Sequence, residues 1–400
     1  MSAPPRFQRA RRIALRVAGI GAGALVLLWI AIHVFPGLGP ALADGARTLF
    51  GPELVAKVED VAYGVQDDVN SVRFKDAPPT TFWDEAPDAA IAEPDAGDEP
   101  SYFPPPRAEP PYPRVAAEND GVWLWMPDDA IPTGSAVLAK TQLHPDPKRP
   151  HAAVAVVAMD LGRLELVMMP GTQEPESKTL KERPGKIPER DWPSLVAAFN
   201  GGWQTIHGHY GMKVDGIELL PPRDHCCTIG LFAEDRSVRI GTWRKMIEER
   251  TRFVAYRQTP QCLWENAIMN PELTDGTRNW GAAVGGDTII RRSGLGLDRE
   301  RRVLFYGVGD NLTAKTLGEA LFATGAVDIA ELDVNWTFPR YLTYTHTTNP
   351  PSILESLVPS PHKAGEYVAR SWYRDFFYVK RKEAALDGGA PERDQEGGAP

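Results

Sequence analysis

A series of short apolar segments between residues 152 and 380 constrains the fold more than any other feature of this 400-residue chain. Each segment has the length of one strand and is bounded by turn residues, and together they span 152–160, 163–170, 194–200, 225–235, 237–243, 287–292, 301–309, 327–334 and 371–380. Only Leu161 and Gly162 separate the first two segments, which predicts a hairpin. Helical patterns are fewer: one covers 316–325, where Thr316 and Glu319 match a capping box, and a weaker one covers 245–256. The pattern predicts an α+β fold, a single domain with a mixed, mostly antiparallel sheet and a few helices.

The N-terminus combines a basic segment with an apolar one. Arginines dominate residues 1–16, and residues 17–35 contain no Asp, Glu, Lys or Arg and are long enough to cross a bilayer. Because positive residues stay on the cytoplasmic side, we predict a single-pass signal anchor in the cell membrane and an exported body, periplasmic or extracellular. A cleaved signal peptide is the alternative, since Ala41-Leu42-Ala43 resembles a cleavage site.

Composition divides the rest of the chain into three parts. Residues 36–120 are rich in Pro, Ala and acidic residues and are predicted to be a linker, residues 121–380 a folded domain, and residues 381–400 a disordered tail. The net charge of −9 comes from 53 acidic and 44 basic residues, with no long basic run beyond the N-terminus, so nucleic acid is not an expected partner.

The three cysteines permit one disulfide in an oxidising compartment. Cys262 can pair with Cys226 or with its neighbour Cys227, which leaves one thiol over. The sequence has no CxxC pair, which argues against a zinc site.

The first candidate site follows the strand 194–200. Asn200-Gly201-Gly202 comes where that strand ends, at a position where scaffolds often place functional groups, and it is also a sequence typical of a plain turn. The polar residues that follow it are His207, His209, Tyr210, Lys213 and Asp215. His207, His209 and Asp215 could bind a divalent metal, but acid/base catalysis or hydrogen bonding to a sugar or phosphate suits the histidines better.

Two further clusters follow later strands. Gly285-Gly286-Asp287 leads into a strand that delivers Arg292 and Ser293, a guanidinium and a hydroxyl suited to an oxyanion, or else an ordinary solvated surface. The segment 330–344 delivers Asp333 directly after an apolar strand, followed by Asn335 and Thr337. A buried carboxylate such as Asp333 is either a structural acceptor or a catalytic group.

In this order, the three clusters resemble the motifs of the phosphodiester glycosidase family, over about residues 154–344. Asn200-Gly201-Gly202 with the glycines and Asp-Gly of 211–216 resembles the first motif. Arg292-Ser293-Gly294-Leu295-Gly296 resembles the second, and the segment ending in Leu332-Asp333 resembles the approach to the last. Here Val334-Asn335-Trp336-Thr337 replaces the family's three glycines and serine.

The resemblance implies hydrolysis of a sugar-1-phosphodiester in a cell-envelope glycan or exopolysaccharide. It implies that Arg292 binds the phosphate and that Asn200 and Asp333 orient the sugar or water. General acid/base candidates are Asp333, Asp215, His207 and His209. Two alternatives remain: a non-catalytic protein that binds glycans or assembles exopolysaccharide, and a metal-dependent hydrolase. No cofactor is expected with the first two functions, and the expected partners are a phosphate-linked glycan and the membrane.

Overall fold

The computed structural model describes residues 73–74, 79, 81–83, 102–127, 136–180, 182–273, 280, 289–334, 338–360 and 362–382, all within the unit Asp60–Pro400. The predicted basic N-terminus, membrane anchor and most of the linker lie outside these residues, as does nearly all of the predicted tail. No helix within the described ranges is long and apolar enough to span a membrane.

The described residues form eighteen strands and one α-helix of ten residues, α1 (Ala314–Ala323). In chain order the strands are β1 (Leu124–Trp125), β2 (Leu138–Leu143), β3 (Val154–Asp160), β4 (Leu164–Met169), β5 (Leu195–Asn200), β6 (Met212–Val214), β7 (Ile217–Leu220), β8 (Cys227–Phe232), β9 (Val238–Thr242), β10 (Phe253–Thr259), β11 (Trp264–Glu265), β12 (Ile268–Met269), β13 (Ile290–Leu297), β14 (Val303–Leu312), β15 (Asp328–Val334), β16 (Tyr341–Thr345), β17 (Ser352–Ser356) and β18 (Phe376–Arg381).

The strands form three sheets, and the pairings between these strands are antiparallel. The first sheet has the order β1-β2-β3-β14-β13-β15-β11-β12, the second β7-β6-β10-β8-β9, and the third β17-β16-β5-β18-β4. The structure confirms a sheet-rich α+β fold with few helices. It differs from the prediction in dividing the strands among three antiparallel sheets instead of one mixed sheet.

Strand β3 is covered on both of its faces. All seven of its residues are buried, so both of its faces are covered. Val154, Val156 and Ala158 pack in the cluster that contains α1, whereas Ala155, Val157 and Met159 pack in the cluster shared with the other two sheets. Because side chains alternate along a strand, a continuous apolar run serves two cores at once.

Two glycines allow α1 to lie close against the first sheet. A Cβ at Gly294 would come within 3.2 Å of a Leu321 methyl, and one at Gly307 within 3.0 Å of the other. Helix α1 begins after Thr313, whose side chain accepts a hydrogen bond from the Thr316 N–H in a capping box. The predicted box of Thr316 and Glu319 is therefore displaced by one turn.

Two local predictions were wrong. Strand β3 pairs with β2 and β14, and β4 pairs with β18 in another sheet, so 152–160 and 163–170 are not a hairpin. The segment 245–256 contains short 3₁₀ turns and the start of β10, not an α-helix. In both cases long-range sheet pairing overrides the local pattern.

The folded body extends further toward the N-terminus than the boundary predicted at residue 121. Phe103 and Ala108 are buried. The Tyr102 hydroxyl donates to Asp160 Oδ1 at 2.5 Å, and Trp123 Nε1 donates to the Pro106 carbonyl at 3.0 Å. Residues 102–120, assigned to the linker from their proline content, therefore belong to the body.

The disulfide joins Cys227 to Cys262, at the edge of β8. Its neighbour Cys226 is a buried free thiol, and burial raises the pKa of that thiol to about 11. The structure thus confirms one bridge with one thiol left over and decides between the two pairings.

Candidate functional site

Asn200, Ser293 and Asp333 meet at the junction of the first and third sheets. Asn200 Nδ2 donates to Ser293 Oγ at 2.9 Å, and Ser293 Oγ donates to the Asp333 carbonyl at 3.0 Å. The three residues come from β5, β13 and β15, and each is at most 5% exposed. The structure therefore brings one residue of each predicted cluster together through direct hydrogen bonds.

The Asn200 side chain is held from both sides. Its Oδ1 accepts from the Tyr306 hydroxyl at 2.7 Å and from the Arg340 N–H at 3.2 Å, while Nδ2 also donates to the Gly201 carbonyl. A buried amide with this many partners has one orientation only. Asn200 fixes how the two sheets join.

Gly201 and Gly202 admit a buried ion pair between Arg257 and Asp375. Arg257 Nε lies 2.8 Å from Asp375 Oδ2, and that same oxygen accepts from the Gly202 N–H at 2.8 Å. A Cβ at Gly201 would lie 2.2 Å from Asp375 Oδ2, and a Cβ at Gly202 would lie 2.9 Å from Arg257 Cζ. Glycine is needed at both positions because the Arg257–Asp375 ion pair lies too close to the backbone for a Cβ. The sequence alone did not indicate this reason for the two glycines.

Asp333 is a buried carboxyl with one arginine partner. Its Oδ2 lies 2.7 Å from Arg374 Nη2, and its N–H donates to the Gly201 carbonyl at 3.1 Å. Burial raises the pKa of Asp333 to about 6, partly opposed by Arg374 and reinforced by the like charge of Asp375. The group can therefore gain or lose a proton near neutral pH.

Arg292 pairs with Glu331, a residue that the sequence analysis missed. Arg292 Nη1 donates to Glu331 Oε1 at 2.7 Å and to the Trp280 carbonyl at 2.6 Å, while Nε donates to the Leu312 carbonyl at 3.0 Å. Burial raises the pKa of Glu331 to about 7, opposed by Arg292 and reinforced by Asp333. A lone glutamate inside the apolar run of β15 was the feature that could have identified it.

These side chains form one buried group, here called the arginine–carboxylate cluster. Its members are Arg257, Arg292, Glu331, Asp333, Arg374 and Asp375. Asp333 interacts electrostatically with Arg257, Arg374 and Asp375, and Glu331 interacts with Asp333, so the three ion pairs are coupled to one another.

Several buried polar atoms in and beside this cluster have no hydrogen-bond partner within the described residues. They are Glu331 Oε2, Trp203 Nε1, Arg183 Nε and Arg374 Nη2, the last of which contacts Asp333 without hydrogen-bond alignment. Arg183 interacts electrostatically with Asp375, and Arg257 Nη2 donates to the Trp203 carbonyl at 2.6 Å. Unsatisfied buried groups are rare in proteins, and each one calls for an explanation such as a catalytic role or a bound water or ion.

Three aromatic residues follow Gly202, and two of them, Trp203 and Tyr210, accept hydrogen bonds from Arg257 through their backbone carbonyls. The Trp203 ring makes edge contacts with His207 at 6.2 Å and Tyr210 at 6.4 Å between centroids. Burial raises the pKa of Tyr210 to about 12, with further contributions from Cys226 and Glu331. His207 is exposed at the end of a 3₁₀ turn, and His209 is exposed with a positive φ of 50°.

Lys213 and Asp215 have their partners elsewhere. Lys213 Nζ donates to the Phe253 carbonyl at 2.8 Å. Asp215 lies in the turn between β6 and β7, with a side chain 74% exposed and 3.9 Å from Arg236 Nη2. Neither contact leads to the arginine–carboxylate cluster.

Several predicted site residues cannot be placed in the structure. Gly285-Gly286-Asp287, Asn335 and Thr337 lie outside the described residues. Among the residues that are described, no group of three or more His, Cys, Asp or Glu side chains could hold a metal ion. The structure therefore does not bring His207, His209 and Asp215 together as the metal hypothesis requires.

Comparison with known proteins gives only distant matches. The sequence matches no protein-family model and no curated protein. Among solved structures, the fold is similar to the catalytic domain of zebrafish N-acetylglucosamine-1-phosphodiester alpha-N-acetylglucosaminidase, described as auto-inhibited by its pro-peptide, with 14% identity and a TM-score of 0.38 over 62% of this chain and 85% of that one. It is also similar to a hypothetical protein from Synechocystis, with 9% identity and a TM-score of 0.38 over 61% of this chain and 62% of that one.

Proposed function

We propose that this protein is an exported, membrane-anchored hydrolase that cleaves a sugar-1-phosphodiester in a cell-envelope glycan or exopolysaccharide. The observation that supports it most is the hydrogen-bonded convergence of Asn200, Ser293 and Asp333 from three separate motifs. Asp333 supplies a carboxyl that changes protonation near neutral pH, as acid/base hydrolysis needs. In this proposal Asp333 accepts the proton of the attacking water.

The phosphate requires donors, and two buried N–H groups without an acceptor among the described residues, on Arg183 and Trp203, suit it better than Arg292 does. Arg183 Nε and Trp203 Nε1 are buried without an acceptor in the described part of the chain. Burial lowers the pKa of Arg183, with Glu174 and Asp375 opposing, so this guanidinium is incompletely compensated. An anionic group would satisfy such donors with charge-assisted hydrogen bonds.

The sugar would lie against the aromatic side of the cluster. The ring of Trp203 makes edge contacts with the rings of His207 and Tyr210, Tyr210 interacts electrostatically with Glu331, and His207 is exposed. Pockets for small polar ligands commonly combine aromatic walls with a few placed polar groups. His207 and His209 would then adapt the site to its own substrate.

Export is supported by two features of the chain. The apolar segment 17–35 follows a basic one, and the Cys227–Cys262 disulfide suits an oxidising compartment. Membrane fractionation of the full chain, with protease access to the body from outside, tests this part of the proposal.

The activity test is turnover of a panel of sugar-1-phosphodiesters by the full-length protein in detergent. Asp333→Asn is expected to lower kcat about 100-fold or more through loss of the base. The matched control is Asp191→Asn, since Asp191 is a buried carboxylate hydrogen-bonded to Tyr378 at the opposite end of β5 and β18. Equal activity of wild type and Asp333→Asn would overturn the proposed role of Asp333.

A second candidate function is glycan binding without catalysis. It is favoured by the engagement of the Asn200 and Arg292 polar atoms with protein partners and by the replacement of the last glycine motif by Val334 and its successors. A folded wild type that binds these glycans and releases no phosphomonoester or sugar across the whole panel would support the binder and overturn the hydrolase.

A further inference from the structure

We propose that Glu331 is the general acid of the site and that Arg292 is its positioning residue; this inference rests on the proposed function. The sequence analysis did not single out Glu331, although it lies in the segment 330–344. The geometry that supports it is the arrangement of its two carboxyl oxygens, one of which is bound and the other of which has no donor.

Oε1 is fixed by the protein. It accepts from Arg292 Nη1 at 2.7 Å, and the same guanidinium is held by the carbonyls of Trp280 and Leu312. A guanidinium bound to backbone on its far side has little freedom, so it sets the carboxyl orientation.

Oε2 is buried and has no hydrogen-bond partner within the described residues. If Oε2 carries a proton, it needs an acceptor, and a substrate oxygen would provide one. The charged or titratable groups around Glu331 are Arg292 from β13, Asp333 from β15 itself and Tyr210 from the loop before β6, with Arg257 of β10 reaching Asp333. Asp333 disfavours a second negative charge, and burial acts in the same direction.

The two carboxyls then have different roles because the pKa of Glu331, at about 7, lies above that of Asp333, at about 6. Arg374 stabilises the Asp333 carboxylate, which can accept a proton, while Glu331 keeps a proton to give. As the bond between the anomeric carbon and the bridging phosphate oxygen breaks, its electron pair leaves with that oxygen, and the Glu331 proton is transferred to it. Water adds its oxygen to the anomeric carbon and gives a proton to Asp333. Return of that proton from Asp333 to Glu331 through solvent restores the site.

The decisive experiment is the pH profile of kcat for the full-length protein, wild type and Glu331→Gln, on the sugar-1-phosphodiester panel. As pH rises through the titration of the acid, the wild-type kcat should decline, and this decline is the alkaline limb of the profile. Glu331→Gln should lower kcat roughly 100-fold or more and should lack the alkaline limb. The matched control is Glu366→Gln, which removes the carboxylate of another buried arginine pair, with Arg340. It should keep the limb.

Arg292→Lys separates positioning from phosphate binding. As a positioning residue, Arg292 affects kcat and moves the alkaline limb while KM stays nearly constant, whereas a phosphate ligand would raise KM. Infrared difference spectra of wild type against Glu331→Gln should show a protonated carboxyl that is absent from the variant.

Failure of the wild type on the whole panel would overturn both the proposed function and this inference. Wild-type turnover with an unchanged alkaline limb in Glu331→Gln, or no lost carboxyl signal, would overturn the inference alone.

Discussion

Arg292 Nη1 donates a hydrogen bond to Glu331 Oε1 across 2.7 Å, and both side chains are buried, at 3% and 0% exposure. The next residue of β13 is Ser293, whose Oγ accepts a hydrogen bond from Asn200 Nδ2 at 2.9 Å. Adjacent residues on a strand face opposite ways, so β13 uses one residue to join the sheets and the next to hold a carboxyl. The site is therefore part of the fold's own hydrogen-bonding structure.

Ser293→Ala is expected to lower the free energy of unfolding by about 1–3 kcal/mol, because Asn200 Nδ2 loses its buried acceptor. Tyr306→Phe removes a different Asn200 partner, the hydroxyl 2.7 Å from Oδ1. Since both variants act on one amide, their effects should couple in a double-mutant cycle measured by urea unfolding. Strictly additive losses would contradict the idea that Asn200 links the two sheets.

Gly202→Ala is expected to cost roughly 1–3 kcal/mol, since its Cβ would lie 2.9 Å from Arg257 Cζ and that guanidinium is held by Asp375. Combining it with Arg257→Lys, which removes the clashing atoms, should cost less than the sum of the two single changes. Thermal unfolding of the four proteins measures this. If the double variant lost as much stability as the two single variants together, the contact between a Cβ at position 202 and Arg257 would not be the cause of the Gly202→Ala destabilisation.

The sequence predicted the strands well because their apolar runs reflect burial directly, and β5, β8, β9, β14, β15 and β18 lie within or close to the predicted segments. It could not predict their partners: β3 and β4 are adjacent in sequence yet belong to different sheets. Asn200, Ser293 and Asp333 were identified as candidates from their places at strand ends. Glu331 was not, because a single carboxylate within a strand acquires its chemistry only from its side-chain hydrogen bond with Arg292 on the neighbouring strand.

The stability of the protein should fall as pH rises from 5 to 8, to the extent set by Glu331 and Asp333. Their pKa values are raised to about 7 and about 6 in the folded state, from about 4 in the unfolded chain, so the folded state binds more protons in this range. The stabilisation is complete below about pH 4 and is lost through these two pKa values. Glu331→Gln should flatten the slope of unfolding free energy against pH, measured by urea unfolding at several pH values, and an unchanged slope would contradict the raised pKa of Glu331.

Reduction of the Cys227–Cys262 disulfide is expected to lower the free energy of unfolding by about 2–4 kcal/mol, because the bridge joins residues 35 apart in sequence. Cys262→Ser should unfold at a lower temperature than wild type and lose its sensitivity to reductant. Cys226→Ser, which leaves the bridge intact, should keep that sensitivity. Retention of the bridge in Cys227→Ser, seen by mass spectrometry, would mean that Cys226 is the true partner.

Arg292→Met is expected to destabilise the protein by about 1–3 kcal/mol, since it leaves Glu331 Oε1 buried without its hydrogen-bond donor. If the arginine serves the fold by balancing Glu331, then Arg292→Met with Glu331→Leu should recover much of that loss, because an apolar pair of similar volume needs no compensation. Both variants would be inactive, so the measurement is chemical unfolding, which is independent of any substrate. An Arg292 that existed to bind phosphate would give a different result: Arg292→Met would weaken ligand binding at nearly constant stability, and adding Glu331→Leu would restore nothing. The stability of the double variant therefore decides whether this guanidinium belongs to the carboxyl or to the substrate.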